Sequence, residues 1–150
     1  MNSIEKFWDD FINENSQYRN STYVVDYFGT KDDATKLGNL IKSHIKTATC
    51  SAYPLYEIDN EAAPEVGTIT LVTDSSNQPL CIIENTKVYV EKFSNITDKH
   101  AYMEGEGDRS FDYWRDVHVR YFQEALADYN LEFDESLPLL CEEFTCIYPK

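Results

Sequence analysis

The sequence predicts an α+β fold in which an antiparallel sheet or barrel is flanked by helices, and three observations carry that prediction. The elements run helix, helix, strands, helix, strand, which is not the alternation of a parallel βαβ protein. Two β-branched runs, Gly67–Thr73 and Pro79 to about Phe93, are joined by the spacer Asp74-Ser75-Ser76-Asn77-Gln78, whose residues suit a hairpin. A long stripe of Phe111, Trp114, Val117, His118, Tyr121, Phe122, Ala125 and Leu126 recurs at helical spacing.

Taken in order, Ser3 is positioned to cap a first helix whose Ile4, Phe7, Trp8, Phe11 and Ile12 share a face. Thr30-Lys31-Asp32-Asp33 resembles a capping box, and Ala34, Leu37, Ile41 and His44 continue one face of a second helix, expected to end near Ile45 or Lys46. From Lys46 the chain turns to small and β-branched residues, so a strand is expected, followed by a mobile loop from Pro54 through the acidic stretch Glu57–Glu65. The third helix is expected from about Ser110 to Tyr129, started by Asp108 or Ser110, and a final strand follows Pro138.

The 150 residues suit one domain, 1–150, with a helical extension over about residues 1–30. Thirteen basic side chains against 27 acidic ones give a net charge of −14, a repulsive field toward phosphate polymers and anionic membranes, so long duplex DNA is not an expected partner. The N-terminus lacks a basic region followed by an apolar run, and no stretch reaches the roughly 18 apolar residues of a membrane span. A cytoplasmic protein without membrane association is expected. Cys50, Cys81, Cys141 and Cys146 show no Cys-x-x-Cys spacing and read as reduced, buried thiols.

Two segments offer chemistry. In Ser43-His44-Ile45-Lys46-Thr47-Ala48-Thr49 an amine precedes a hydroxyl by three residues across a helix-to-strand junction. A desolvated lysine can serve as base for a hydroxyl nucleophile if the junction bends the two together, whereas a solvated surface lysine is the ordinary outcome of such spacing. In Met103-Glu104-Gly105-Glu106-Gly107-Asp108-Arg109-Ser110, three carboxylates alternate with glycines ahead of the long helix. Asp108 or Ser110 is explained as a helix cap; Glu104 and Glu106 are not, and a hard cation on Glu104, Glu106 and Asp108 is one use for them. His44, His100 and His118 form no His-x-x-x-His pair, so zinc is not expected, and His118 reads as a core histidine on the aromatic stripe. Tyr53 and Tyr56 are candidates to stack on a base.

Together, Lys46-Thr47-Ala48-Thr49, the string Glu104-Gly105-Glu106-Gly107-Asp108-Arg109-Ser110, Tyr113-Trp114-Arg115 and His118 resemble the ASCH domain, over about Leu37–Tyr148, in a bacterial subgroup of that family. The resemblance implies a PUA-like β-barrel whose cleft takes RNA or a nucleotide-like ligand. It also implies a link to a short branch of amidohydrolases that deacetylate N4-acetylcytidine through a Lys, a Thr three residues on and a distant Glu. Carried over, the catalytic residues are Lys46, Thr49 and Glu104. The ligand-binding residues are Thr47, Ser51, Tyr53, Glu106 and Arg109, with Arg109 expected to pair with an acid or an anionic ligand group. Two positions depart from the pattern: His44 stands where the family often has glycine, and Ser51 where the short amidohydrolases have a basic residue. No cofactor is implied, and the expected partner is a small-molecule nucleoside or single-stranded RNA. The alternatives are an RNA-binding module drawing on Lys42, Lys46, Lys87, Arg109 and Arg115, or a metal-dependent ribonuclease using the acidic string.

Overall fold

In a computed structural model describing Met1–Lys150, five strands form one curled half-barrel sheet accompanied by five α-helices. In chain order the strands are β1 (Val24–Asp26), β2 (Ala48–Ala52), β3 (Ile69–Thr73), β4 (Pro79–Lys92) and β5 (Pro138–Tyr148); the helices are α1 (Ser3–Glu14), α2 (Ala34–Lys42), α3 (Pro54–Ile58), α4 (Asp98–Glu104) and α5 (Phe111–Ala127). The order across the sheet is β1-β3-β4-β5-β2. All pairings are antiparallel except β1 with β3, which is parallel, so β1 and β2 are the two open edges.

The β3–β4 hairpin forms where the spacer predicts it. Asp74 Oδ1 accepts from the amides of Ser76 and Gln78, at 2.8 and 2.9 Å, and replaces ladder bonds in the turn. On one side of the sheet, α1 lays Trp8 and Phe11 over Ile69, Leu71 and Ile82, with Tyr23 stacked on Trp8 at 4.2 Å. Another cluster joins Phe93, Ile96, Ala101 and Leu139 to Trp114, Phe122 and Leu126 of α5. Burying a side chain of this size is worth about 1.5–3 kcal/mol, so these clusters fix the position of α5.

The helix ends differ from expectation where a second polar group competes. Asn2 rather than Ser3 caps α1, accepting from the Glu5 amide at 2.8 Å. Ser110 caps α5, accepting from the Tyr113 amide at 3.1 Å, while Asp108 accepts from the Ser110 amide one step earlier. Helix α2 stops at Lys42, short of Ile45, and His44 is an exposed residue with φ +66° outside the helix, not part of its apolar face. There the chain wraps so that the amides of Ile45 and Lys46 both donate to the Leu40 carbonyl, at 2.9 and 3.1 Å. That wrap sends Lys46 inward. Residues 54–58, expected in a mobile loop, form the short helix α3 with Pro54 in its first turn. Helix α4, which the sequence reading left unassigned, is capped by Thr97 Oγ1 accepting from the His100 amide at 3.1 Å.

Candidate active site

The site lies where the wrap after α2, the start of β2, the end of α4 and the middle of α5 converge. Lys46 is 2% exposed and Glu104 1%. The Lys46 ammonium donates to Glu104 Oε1 at 3.1 Å, to Glu106 Oε2 at 3.3 Å and to the Glu104 carbonyl at 3.4 Å. Gly105 makes this possible. Its φ is +76°, and a Cβ there would lie 2.6 Å from the Ile45 carbonyl oxygen, so only glycine lets the α4 terminus approach the Lys46 segment.

Glu104 is the hub. Its Oε2 accepts from His100 Nε2 at 2.7 Å and from the Trp114 indole N–H at 2.8 Å; its Oε1, besides Lys46, faces His118 Nε2 at 3.5 Å. An indole nitrogen can only donate, so Oε2 is an acceptor, and His100 must carry its proton on Nε2 with Nδ1 turned to the Tyr89 hydroxyl at 3.4 Å. His118 stacks on Trp114 at 4.4 Å and donates from Nδ1 to the Trp114 carbonyl at 2.7 Å.

Burial alone would lift the Glu104 carboxyl, but Lys46 and His118, with the bond from His100, hold it well below the usual glutamate range. Burial likewise opposes the charge on Lys46, yet Glu104 and Glu106 outweigh it and hold the amine above its ordinary value. His118 is raised on the same terms, with Glu104 overcoming burial. In the resting site Lys46 is therefore an ammonium, not a ready base. With His118 protonated, two positive groups face Glu104 and Glu106.

Thr49, half-buried on β2, lines the same cleft of about 60 Å³ as Lys46, Cys50, Glu104, Glu106 and His118. No protein group hydrogen-bonds its hydroxyl; because no buried polar atom in the molecule lacks a partner, that hydroxyl is open to the cleft. Of Lys46, Glu104, Glu106 and His118, Glu106 is the most accessible, with 16% of its side chain exposed.

The other candidates sit elsewhere. The Thr47 amide donates to the Met103 carbonyl at 2.7 Å and its carbonyl accepts from the Phe144 amide, which ties β2 to α4 and β5 outside the cleft. Arg109 does not pair with an acid: it donates to the carbonyls of Tyr102 at 3.0 Å and Ile45 at 3.2 Å and lies over the Tyr102 ring, clamping α4 to the Lys46 segment. The negative end of the α4 dipole attracts a cation, which accounts for the bond to the Tyr102 carbonyl. Ser51 faces a neighbouring recess, where its hydroxyl meets the Tyr56 hydroxyl at 2.8 Å, and Tyr53 is exposed on an outer groove.

The three carboxylates of the acidic string do not converge, since Asp108 is exposed and turned to Ser110. Glu104, Glu106 and His118 each bring a ligand atom within 4.8 Å of the others, but the Lys46 ammonium already bonds both carboxylates and plays the part a cation would. Of the five basic residues considered for RNA, Lys46 alone lines the cleft; Arg115 pairs with Glu135, and Lys87 lies over the Tyr89 ring.

His100, His118 and Trp114 join the site although sequence reasoning assigned them no role in it: the histidines were weighed only as metal ligands or core, and Trp114 only as part of the motif and the aromatic stripe. The signal was helical spacing: His100 and Glu104 are four apart on α4, as are Trp114 and His118 on α5.

Comparison with known proteins finds similarity to ASCH domains. The sequence model described as the ASCH domain matches residues 24–148. A solved ASCH domain from Lactobacillus crispatus JV V101 is 28% identical, with a TM-score of 0.90 over 97% of this chain and 94% of that one. A solved protein from Enterococcus faecalis V583 is 33% identical, with a TM-score of 0.86 over 97% of this chain and 88% of that one. A hypothetical protein 13% identical, with a TM-score of 0.55 over 83% of this chain and 98% of that one, shares the fold alone. No curated protein matches. No helix is long and apolar enough to cross a membrane.

Proposed function

Because this chain belongs to the ASCH domain family, we propose that it works at the Lys46 cleft as an amidohydrolase, removing an acyl group from the amine of an N4-acetylcytidine-like nucleoside. The observation that supports this reading most is that Lys46, Thr49 and Glu104 line one cleft, with the Thr49 hydroxyl open to it.

The resting charge of Lys46 sets the order of events. When ligand expels water from the cleft, desolvation disfavours separated charge, and one proton passes from Lys46 Nζ to Glu106, 3.3 Å away. Glu106 is the better acceptor because Glu104 also accepts from His100 and Trp114, which hold it ionised. The neutral amine then takes the Thr49 proton as Oγ1 bonds to the acyl carbon. His118 Nε2–H, lining the cleft, is placed to stabilise the oxyanion. As the C–N bond breaks, Lys46 returns its proton to the leaving amine. Water next attacks the acyl-threonine and gives its proton to Lys46, and the released Thr49 oxygen recovers a proton from it. Glu106 gives back its proton as the products leave. Glu104 holds Lys46 in place throughout.

The test is incubation of the purified protein with N4-acetylcytidine and, separately, with labelled single-stranded RNA, each with and without chelator. Expected are cytidine and acetate in equal amounts, unchanged by chelator. RNA cleavage that chelator abolishes would establish the metal-dependent nuclease instead, and RNA retention without any turnover would establish a binding module.

A further inference from the structure

Beside the Lys46 cleft, and sharing Tyr121 with it, lies a recess of about 190 Å³ walled by Leu55, Tyr56, Tyr121, Phe122 and Ala125. Its wall is aromatic and apolar, and the paired hydroxyls of Ser51 and Tyr56 supply polar contacts. Tyr121 lines both spaces, so a flat ring seated in the recess lies next to the cleft that Thr49 lines. Two wider grooves, of about 450 and 370 Å³, share Tyr56 and Glu61 with this recess.

The residues around this mouth are one-sided in charge. Asp26, Glu57, Asp59, Glu61 and Glu142 line the recess and its grooves, and no lysine or arginine does. None of the five takes part in any salt bridge of the molecule. Asp59 is engaged by the Tyr129 hydroxyl and Glu142 by the Asn85 amide, whereas no side-chain hydrogen bond engages the Glu61 carboxylate. Lys46, in the adjoining cleft, is already matched by Glu104 and Glu106, and His118 there faces Glu104. A phosphate brought to this mouth would meet several uncompensated carboxylates and no donor of opposite charge.

We propose that the Tyr56–Tyr121 recess is the ring subsite of the Lys46 site, and that its acidic mouth restricts the ligand to ring compounds carrying no phosphate. The proposal rests on the amidohydrolase reading for what happens next door, but it concerns binding and is tested by binding. Free nucleosides or bases enter; nucleotides and RNA strands are turned away.

The experiment is isothermal titration of the Thr49→Ala protein, which keeps the ligand intact, with N4-acetylcytidine, with its 5′-monophosphate and with a short single-stranded RNA. The nucleoside is expected to bind at least about tenfold more tightly than the monophosphate, with the gap narrowing as salt is raised from 20 to 300 mM, and the RNA is expected not to bind. Glu61→Gln, introduced beside Thr49→Ala, should narrow the gap by a factor on the order of threefold by removing one charge from the mouth. Tyr56→Ala should weaken the nucleoside and the monophosphate alike, as loss of a ring contact does. Equal or tighter binding of the monophosphate overturns the proposal, as does binding of neither nucleoside nor monophosphate to a folded protein. Its failure is separable from failure of the amidohydrolase reading. Nucleoside bound but never hydrolysed by the parent protein removes the reaction and leaves the selectivity standing; nucleoside and monophosphate hydrolysed equally well does the reverse.

Discussion

At the scale of single residues, Thr49 and Glu104 predict opposite experimental signatures although both belong to one proposed reaction. Thr49 carries no protein hydrogen bond through its hydroxyl, so Thr49→Ala should cost less than about 1 kcal/mol of stability while lowering turnover by about a thousandfold or more. Glu104→Gln leaves Lys46 buried with Glu106 as its one remaining carboxylate partner, and offers two N–H groups where three donors converge. Breaking a buried ion pair costs about 3–5 kcal/mol, so this variant should show a large drop in melting temperature as well as lost turnover. The pH dependence has a definite sign. A carboxyl held below its ordinary 4.5 contributes stability that is present above that value and is lost as pH falls through the folded value. The gap in melting temperature between parent and Glu104→Gln should therefore be full at neutral pH and shrink below about pH 4; a gap that grows on acidification would contradict the ionised hub. Lys46, Thr49 and Glu104 were legible in the sequence through their motifs. His100 was not, because its spacing from Glu104 gains meaning only on α4, which is too short to show periodicity; His118 stood on the third helix but read as a core histidine, because the carboxylate it faces belongs to another element.

At the scale of elements, the approach of α4 to the segment after α2 rests on two left-handed residues that predict opposite effects. Gly105 at φ +76° faces the Ile45 carbonyl, so Gly105→Ala should destabilise by about 2 kcal/mol or more, combining a strained φ with a backbone collision. His44 holds φ +66° with an exposed side chain, in the conformation glycine adopts without penalty, so His44→Gly should raise stability by about 1 kcal/mol. Denaturant midpoints of the two variants check both signs at once. Element prediction was good where periodicity was long, as in α5 and the β3–β4 hairpin. It missed α4, whose seven residues give barely two turns, and β1, whose three residues are all exposed and show no alternation. Pro54 suggested a break, but proline is also a favoured first residue of a helix, and α3 uses it so.

At the scale of the whole molecule, the acidic balance and the aromatic composition were plain in the sequence, but the way β1 joins β3 in parallel to give an open half-barrel depends on pairings far apart in the chain. The same strand pairing sets the chemistry of the cysteines. All four are buried free thiols; Cys50 and Cys141 lie opposite each other on β2 and β5, and Cys81 shares a cluster with Cys146, whose thiol is held below its ordinary range by Cys81 beside it. Titration without reductant should find four thiols in denaturant. In the native protein Cys146 should react first and Cys50, pushed up by burial and by Glu104, more slowly. Fewer than four in denaturant would mean that a bridge has formed.

The bond from Trp114 to Glu104 makes the site its own spectroscopic gauge. The chain has two tryptophans, and the other, Trp8, sits on α1 among Phe11 and Tyr23. One indole proton therefore lies on the carboxylate that anchors Lys46, and the other belongs to a separate cluster and serves as an internal reference. Any event that redistributes charge among Lys46, Glu104 and Glu106 must move the first resonance and leave the second in place, so occupancy of the cleft can be followed by magnetic resonance in unmodified protein.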